Sequence, residues 1–380
     1  MKLVNHSAVK VDPPKLCVLP GEGAAAEAVL SSMKVLETLD LPIETDLLDV
    51  KTMSNEEMYR RMDNSQATLF GAMANGVNLL GYLRWTRGTY ANIRPAKYRR
   101  NFHSPLKDPD GIDFVIVREN LEDLYPPREG NVSELEVLAK LHQEWDPLDG
   151  GIYALKVISE KNTRNVARYA AELAMQRREE GFKGLVTIGV KDNVLRRCDG
   201  LFRDVAMEVL KEYPDVKVET CIVDALFHRM VTNPRSLDVV LLPNLYGDIL
   251  ADGASGLIGG LGVAPSACIG DHYAYFEPVH GTAPDIEGKG IINPTATLLA
   301  LSMALDYLGF SEAAGKPTSI SLNPIFTRSL KNSTFCSRLI GMTSAWFPSR
   351  RSTEHQTGAL STYSFSAHFM HLTGGIKYCL

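Results

Sequence analysis

The sequence predicts an α/β fold, in which strands and helices alternate along the chain. Short apolar runs recur, each bounded by glycine, proline or charged residues. Longer stretches with helical patterning lie between them. Charged or amide side chains directly follow several apolar runs, as happens where parallel strands end at a ligand site. The length of 380 residues allows two or three domain-sized units, or one large two-lobed protein.

The elements follow in order along the chain. Strands are predicted at Leu16–Pro20, Ala67–Ala72, Asp113–Arg118, Gly184–Gly189 and Asp238–Pro243, and helices at Ala24–Leu39, Ser159–Gly181, Gly200–Tyr213 and Thr295–Leu308. Apolar runs of this length are typical of strands buried on both faces. Arg118, Lys191 and Asn244 lie at or just after the ends of three strands. We therefore expect these three side chains to line a ligand site.

Composition excludes several classes of protein. No apolar run reaches the ~18 residues that a membrane span needs, and residues 1–14 lack the apolar core of a signal peptide. The net charge of -5 argues against a nucleic-acid partner. The six cysteines are scattered without a CxxC pair, which indicates reduced thiols. We expect a cytoplasmic protein; a mitochondrial one is the alternative, although no clear transit peptide is visible.

The composition changes near residue 315. From there to the end the chain has 19 Ser or Thr, seven Lys or Arg and one acid, Glu354. No sustained helical or strand period is visible in this segment. The pattern predicts a boundary near 315 and an atypical, loosely packed tail over 315–380.

A pair of acids is the strongest local feature of the sequence. Asp248 and Asp252 lie one helical turn apart in a helix predicted to open near Gly247, so both carboxylates share one face. Hard divalent ions such as Mg²⁺ or Mn²⁺ bind one or two carboxylates together with substrate oxygens. Alternatively, the two acids complement the dipole at the helix start. This segment alone leaves both interpretations open.

Three arginines suggest an anionic ligand. Arg84, Arg94 and Arg118 lie near predicted strand ends or short connecting segments, and an arginine fork binds a carboxylate through two hydrogen bonds. Each alone is more often a surface ion pair, which is what we expect of other arginines nearby. Lys191 follows an apolar strand, where a lysine with a lowered pKa can transfer protons. An ordinary exposed lysine is the alternative.

A loop punctuated by glycine and proline leads into the last predicted helix. It runs from Glu277 through His280 and Asp285 to Asn293. Such loops present backbone amides to phosphates, and an acid such as Asp285 can accept a hydrogen bond from a ribose 2′-hydroxyl. A structural turn is the alternative. The segment 21–26 lacks the third glycine of a Rossmann fingerprint, so that fold is not supported.

Four ordered motifs within residues 15–314 resemble the metal-dependent β-decarboxylating dehydrogenases, which include isocitrate, isopropylmalate, homoisocitrate, and tartrate or D-malate dehydrogenases. They are Tyr90–Pro95, Val117–Asn120, Asn244–Leu250 and Phe276–Asp285. The resemblance implies an isopropylmalate dehydrogenase-like two-lobed fold. Its discontinuous large lobe would comprise residues 1–90 and 259–314, with a small lobe inserted at 91–258. It also implies a homodimer with shared active sites.

The resemblance also implies roles for individual residues. Arg84, Arg94 and Arg118 would bind substrate carboxylates, and Tyr125 and Lys191 would transfer protons. The metal ligands would be Asp224, Asp248 and Asp252, with Lys191 and Asp224 lent by the partner subunit. The cofactor-binding residues would be Glu277, His280, Gly281, Thr282, Ala283, Asp285, Ile286 and Asn293. The pair Asp285-Ile286 is similar to that of NAD enzymes, because NADP enzymes often have a basic residue and a tyrosine there.

The implied reaction is NAD-dependent oxidation and decarboxylation of a small 2-hydroxy acid bearing a 3-carboxylate, with Mg²⁺ or Mn²⁺. The glycine-rich segment Gly256–Val263 is similar to that of isocitrate and homoisocitrate enzymes, which favours isocitrate. Isopropylmalate, homoisocitrate and tartrate or D-malate are the alternatives. A second hypothesis is a non-catalytic relative, either a regulatory subunit or a product inactivated by the atypical tail.

Overall fold

The computed structural model describes residues 3–4, 11–74, 77–100, 102–134 and 150–321, and it confirms the predicted α/β class. The strands are β1 Lys15–Leu19, β2 Glu44–Leu47, β3 Ala67–Phe70, β4 Ala91–Lys97, β5 Asp113–Glu119, β6 Glu129–Asn131, β7 Ile152–Ala154, β8 Leu185–Val190, β9 Lys217–Ile222, β10 Val239–Leu242, β11 Pro265–Ile269 and β12 Ala274–Pro278. The helices are α1 Ala24–Thr38, α2 Asn55–Asp63, α3 Val77–Gly81, α4 Glu160–Glu179, α5 Cys198–Leu210, α6 Val223–Thr232, α7 Asn244–Ile258, α8 Thr295–Tyr307 and α9 Ser311–Ser321. A π-helical turn, Tyr82–Thr86, continues α3.

Ten of these strands form one sheet in the order β2-β1-β3-β12-β11-β4-β5-β10-β8-β9. Five neighbouring strands come from residues 15–70 and 265–278, and the other five come from residues 91–242. The chain therefore leaves one half of the sheet after β3 and returns to it at β11. This is the discontinuous lobe with an inserted lobe that the sequence predicts, although the exact lobe bounds remain our proposal. The strand order also differs from that of a Rossmann sheet.

Pairing across the middle of the sheet determines where the polar side chains lie. β4 runs antiparallel to both β5 and β11, whereas β5, β10, β8 and β9 are parallel. In the β4–β5 register, Asn92 pairs with Arg118 and Arg94 pairs with Ile116. Arg94 and Arg118 are therefore diagonal neighbours on one face of the sheet. Helix α7 starts directly after β10 and packs against β4 and β5, which brings its first turns to the same place.

The predicted boundary near residue 315 falls inside a helix. Helix α9 continues to Ser321, so the first residues of the predicted tail belong to the fold. The sequence does not predict helix α9, because its apolar stripe is weak and it contains Pro317. The rest of the predicted tail, residues 322–380, lies outside the described residues. Within the described ranges, no helix has the length and apolar character that crossing a membrane requires.

Candidate active site

The two acids of helix α7 lie on a rigidly held helix start. The buried side chain of Asn244 accepts a hydrogen bond from Arg118 Nε (2.9 Å) and donates one to the carbonyl oxygen of Glu122 (3.1 Å). The backbone N–H of Leu245 donates to Asp123 Oδ2 at 2.9 Å. One turn further on, the side chains of Asp248 and Asp252 are 36% and 52% exposed. The helix start thus presents two accessible carboxylates on one face.

Two of the predicted arginines converge on these acids. Arg118 Nη1 donates a hydrogen bond to Asp248 Oδ1. Arg94 Nη2 lies 4.0 Å from Asp248 Oδ1, and its Nη1 lies 3.7 Å from Asp252 Oδ1. Each of the three predicted arginines has one buried guanidinium nitrogen without a hydrogen-bond partner among the described residues, namely Arg84 Nε, Arg94 Nη1 and Arg118 Nη2. Buried donors of this kind are costly unless a ligand completes them, so the group is suited to an anion.

Tyr125 joins the third arginine to the same cluster. The guanidinium carbons of Arg84 and Arg118 lie 5.3 Å and 4.6 Å from the centre of its ring. Its phenol donates a hydrogen bond to Asp248 Oδ2. Burial, reinforced by the bond to Asp248, raises the pKa of Tyr125 to about 12, although Arg118 opposes this. The phenol is therefore protonated at neutral pH and acts as a donor.

Lys191 and Asp224, which are predicted to transfer protons and to bind the metal, lie apart from this cluster. Lys191 follows β8 and donates a hydrogen bond from Nζ to Asp224 Oδ1 (2.5 Å), on the first turn of α6. Asp224 is 65% exposed, and the bond from Lys191 lowers its pKa. Among the residues that the structure describes, no hydrogen bond or ion pair joins either side chain to Asp248 or Tyr125. One chain thus forms two separate parts of the predicted site.

A divalent ion fits the part of the site that contains Asp248 and Asp252. Each oxygen of Asp248 accepts one hydrogen bond and so keeps a lone pair, and Asp252 is half exposed. Two carboxylates with substrate oxygens satisfy the preferences of Mg²⁺ and Mn²⁺. Over the ranges that the structure covers, no three His, Cys, Asp or Glu side chains are arranged to hold a metal.

Glu277 connects this cluster to the predicted cofactor loop. It lies in β12 and is partly exposed. Burial raises its pKa, and Arg94, Arg84 and Arg118 oppose that rise in this order. The carboxyl of Glu277 therefore lies in the field of Arg94 and Arg118, which contact Asp248, and of Arg84, which lies next to the Tyr125 ring.

The cofactor loop is shaped by close backbone contacts with the start of α1. A Cβ at Gly23 would lie 2.6 Å from the carbonyl oxygen of Thr282, which accepts a hydrogen bond from the N–H of Ala25 (3.3 Å). Ala283 has a positive φ of 46° and turns the chain into a short 3₁₀ turn, Pro284–Ile286. Asp285 and Gly281 are exposed. The loop therefore presents an exposed acid on a strained turn.

Two further loop residues have distinct environments. His280 Nδ1 lies 2.9 Å from the carbonyl oxygen of Gly281, and its buried Nε2 has no hydrogen-bond partner in the described structure. Burial lowers the pKa of His280, so the ring is neutral at neutral pH. Asn293 Oδ1 accepts a hydrogen bond from the N–H of Thr295 (3.0 Å), which starts α8. The unpaired Nε2 fits a bound dinucleotide.

Sequence reasoning missed one residue that holds this loop. Glu27 lies in the first turn of α1, and its two carboxylate oxygens accept the N–H groups of Gly288 (2.6 Å) and Gly290 (3.0 Å). Both glycines have a positive φ, of 75° and 60°. The sequence shows an acid at a helix start. Its partners are more than 260 residues away and no local pattern reveals them.

Comparisons with known proteins agree with this geometry. A family profile described as isocitrate/isopropylmalate dehydrogenase matches residues 15–327. The chain is 41% identical over 315 residues to a 3-isopropylmalate/3-methylmalate dehydrogenase of Methanocaldococcus jannaschii, covering 80% of this chain and 88% of that protein. It is also 41% identical over 315 residues to an isocitrate/homoisocitrate dehydrogenase of Thermus thermophilus, covering 79% and 87%.

A solved structure shows the same architecture. The isocitrate dehydrogenase of Methylococcus capsulatus superposes with a TM-score of 0.71 at 31% sequence identity. The match covers 83% of this chain and 91% of that one.

Proposed function

The chain belongs to the isocitrate/isopropylmalate dehydrogenase family of oxidative decarboxylating dehydrogenases, and we propose that it is an active, NAD-dependent member. Its substrate is a 2-hydroxy acid with a carboxylate on the third carbon, and its metal is Mg²⁺ or Mn²⁺. The observation that carries this proposal is the convergence of Arg94, Arg118 and Tyr125 on Asp248, beside Asp252, with Arg84 next to the Tyr125 ring.

The arginines bind and orient the substrate. Arg94 and Arg118 have buried, unpaired N–H groups that face the two acids of α7. They hold the substrate carboxylates, and thereby place the 2-hydroxyl group at Asp248 and Asp252. When bound there, the divalent ion supplies a Lewis acid that lowers the hydroxyl pKa and stabilises negative charge during loss of CO₂. Tyr125 is protonated and points at Asp248, so it is placed to deliver a proton after decarboxylation.

A second copy of the chain completes the site in this proposal. Helix α6 packs against α7, and these two helices expose Phe227 (43%), Val231 (38%) and Ile249 (56%). Large apolar side chains on adjacent helices favour burial against another subunit. The same helices carry Asp224 and Asp248. A dimer formed through them would bring Lys191 and Asp224 of one subunit towards Asp248 of the other.

NAD is favoured over NADP by the exposed end of the cofactor loop. The Asp285 carboxylate is exposed on the 3₁₀ turn that follows Ala283. An acid at this place accepts a hydrogen bond from the ribose 2′-hydroxyl and repels a 2′-phosphate. Glu27 fixes the loop from below through the N–H groups of Gly288 and Gly290.

An apolar 3-substituent is favoured by the similarity to two isopropylmalate enzymes, the 3-isopropylmalate/3-methylmalate dehydrogenase at 41% identity and a 3-isopropylmalate dehydrogenase of Archaeoglobus fulgidus at 38%. Helix α3, which precedes Arg84, does not distinguish the substrates, because Leu79 packs in the core. The preference for isocitrate depended on the glycine-rich segment Gly256–Val263. In the structure this segment terminates α7, where Gly259 and Gly260 have positive φ, so a turn accounts for its glycines. We therefore place 3-isopropylmalate and 3-methylmalate first, with isocitrate and homoisocitrate second.

The test is NADH formation by the full chain with Mg²⁺ and a panel of 2-hydroxy acids. We expect turnover that EDTA abolishes and added Mg²⁺ restores, and we expect the highest kcat/KM for a 3-alkylmalate. Asp252→Asn should lose activity while remaining folded. If the folded dimer turns over no member of the panel, the non-catalytic hypothesis replaces this proposal.

A further inference from the structure

A buried charge cluster of Lys156, Asp199 and Asp123 lies next to the site. Lys156 is 11% exposed, and its Nζ lies 2.8 Å from Asp199 Oδ1 and 3.5 Å from Asp123 Oδ1. Both carboxylates are fully buried. The same ammonium lies 4.3 Å from the centre of the Tyr246 ring. One lysine thus balances two buried acids, which would otherwise repel each other at close range.

Each of these acids holds a backbone group of the proposed site. The second oxygen of Asp199 accepts the N–H of Lys191 at 2.6 Å. The second oxygen of Asp123 accepts the N–H of Leu245 at 2.9 Å, at the start of α7. Asp123 also has a positive φ of 71°, and its backbone pairs with Val157, the residue after Lys156. Lys156 therefore connects the segment carrying Lys191 to the helix carrying Asp248.

We propose that Lys156 is a positioning residue that sets both the Lys191 segment and the start of α7. This rests on the proposed function, in which Lys191 acts in the partner's site and Asp248 acts in its own. One lysine would then fix the geometry of two active sites, because it holds Lys191 for the partner's site and Asp248 for the site of its own subunit. In this role Lys156 contacts neither substrate nor cofactor. Burial raises the pKa of Asp123, and the Lys156 ammonium is the strongest influence that opposes this rise.

The test combines hydrogen exchange with steady-state kinetics on the full chain. Lys156→Gln should speed amide exchange at least tenfold in peptides that contain Lys191 and Leu245. It should also lower kcat at least tenfold and leave the KM for NAD within twofold, because the network does not touch the cofactor loop. Lys156→Arg should restore most of kcat. Lys161→Gln, which changes an exposed lysine five residues further on, in the first turn of α4, should change neither measurement.

Two single variants dissect the network and keep the proposal testable if Lys156→Gln does not fold. Asp199→Asn and Asp123→Asn each leave Lys156 with one carboxylate, so the buried charges balance. Asp199→Asn should speed exchange in the Lys191 peptide, and Asp123→Asn should do so in the Leu245 peptide. Unchanged exchange in either peptide overturns the proposal. Amide hydrogen exchange can be measured without turnover. A wild-type chain with no activity would therefore contradict the proposed function, while the exchange rates would still test the role of Lys156.

Discussion

Gly247 lies directly beneath the side chain of Arg118. A Cβ at this position would lie 2.6 Å from Arg118 Cγ and 2.7 Å from its Cβ, closer than carbon atoms approach. Glycine therefore allows helix α7 to pack against the stem of Arg118, whose guanidinium reaches Asp248. The position of Arg118, which we propose binds substrate, thus depends on the absence of a side chain at Gly247, one residue before the proposed metal ligand Asp248.

Gly247→Ala should displace Arg118 and lower kcat/KM by about 100-fold, the order of loss that a misplacement of about 1 Å causes. Helix propensity alone would make this substitution favourable. Gly315→Ala is the matched control, because Gly315 is a helical glycine with open space around its Cβ position. It should leave kcat/KM unchanged. A Gly247→Ala enzyme with wild-type kinetics would show that Arg118 needs no such packing.

Glu27→Ala should loosen the cofactor loop. The variant loses two charge-assisted hydrogen bonds to Gly288 and Gly290, each worth about 1.5–3 kcal/mol in comparable settings. We expect the KM for NAD to rise at least tenfold, with a smaller change in kcat. Glu37→Ala alters an exposed acid on the same helix and should keep the wild-type KM. Equal KM values for the two variants would rule out a role of Glu27 in holding the loop.

Substitutions at Asp285 and Ile286 of the cofactor loop should change the preference between NAD and NADP. Asp285→Lys combined with Ile286→Tyr removes the acid that favours the ribose 2′-hydroxyl and provides a cation for a 2′-phosphate. We expect kcat/KM to fall for NAD and to rise for NADP, measured with the best substrate of the panel. Loss of both activities in a folded variant would indicate that the turn, and not its side chains, determines cofactor choice.

Glu119 makes stability depend on pH. It is fully buried, and burial raises its pKa from 4.5 to about 8. The folded chain therefore keeps a proton that the unfolded chain loses between these values, and the stabilisation relative to Glu119→Gln falls as pH rises from about 4.5 to about 8. Urea unfolding at a series of pH values measures this difference. Glu179→Gln, at an exposed acid, should show no such trend, and a flat difference for Glu119→Gln would contradict the prediction.

The local patterns predicted the elements well, but not every partner in the site. Asp248 and Asp252 were visible as an acid pair because a helix places residues four apart on one face. Arg94 and Arg118 are diagonal neighbours only through the β4–β5 register, which no short pattern encodes. The Lys156 cluster and the bonds of Glu27 join residues far apart in sequence, so they emerge only from tertiary packing.

In the dimer that we propose, each active site is formed by residues from two subunits. Asp248→Asn and Lys191→Ala should each be inactive alone, because every site of either homodimer has one defect. After subunit exchange, a hybrid dimer has one site with both defects and one with none. We predict that an equal mixture regains about a quarter of wild-type activity, because half of randomly assembled dimers are hybrids with one intact site.

The control mixture combines Asp248→Asn with Asp252→Asn, which lie on the same helix. Every site of their hybrid keeps one defect, so this mixture should stay inactive. NADH formation by the two mixtures, with exchange verified by native mass spectrometry, is the most direct test. Recovered activity in the first mixture alone is the predicted result. Verified hybrids of Asp248→Asn and Lys191→Ala that remain as inactive as their parents would contradict a shared site.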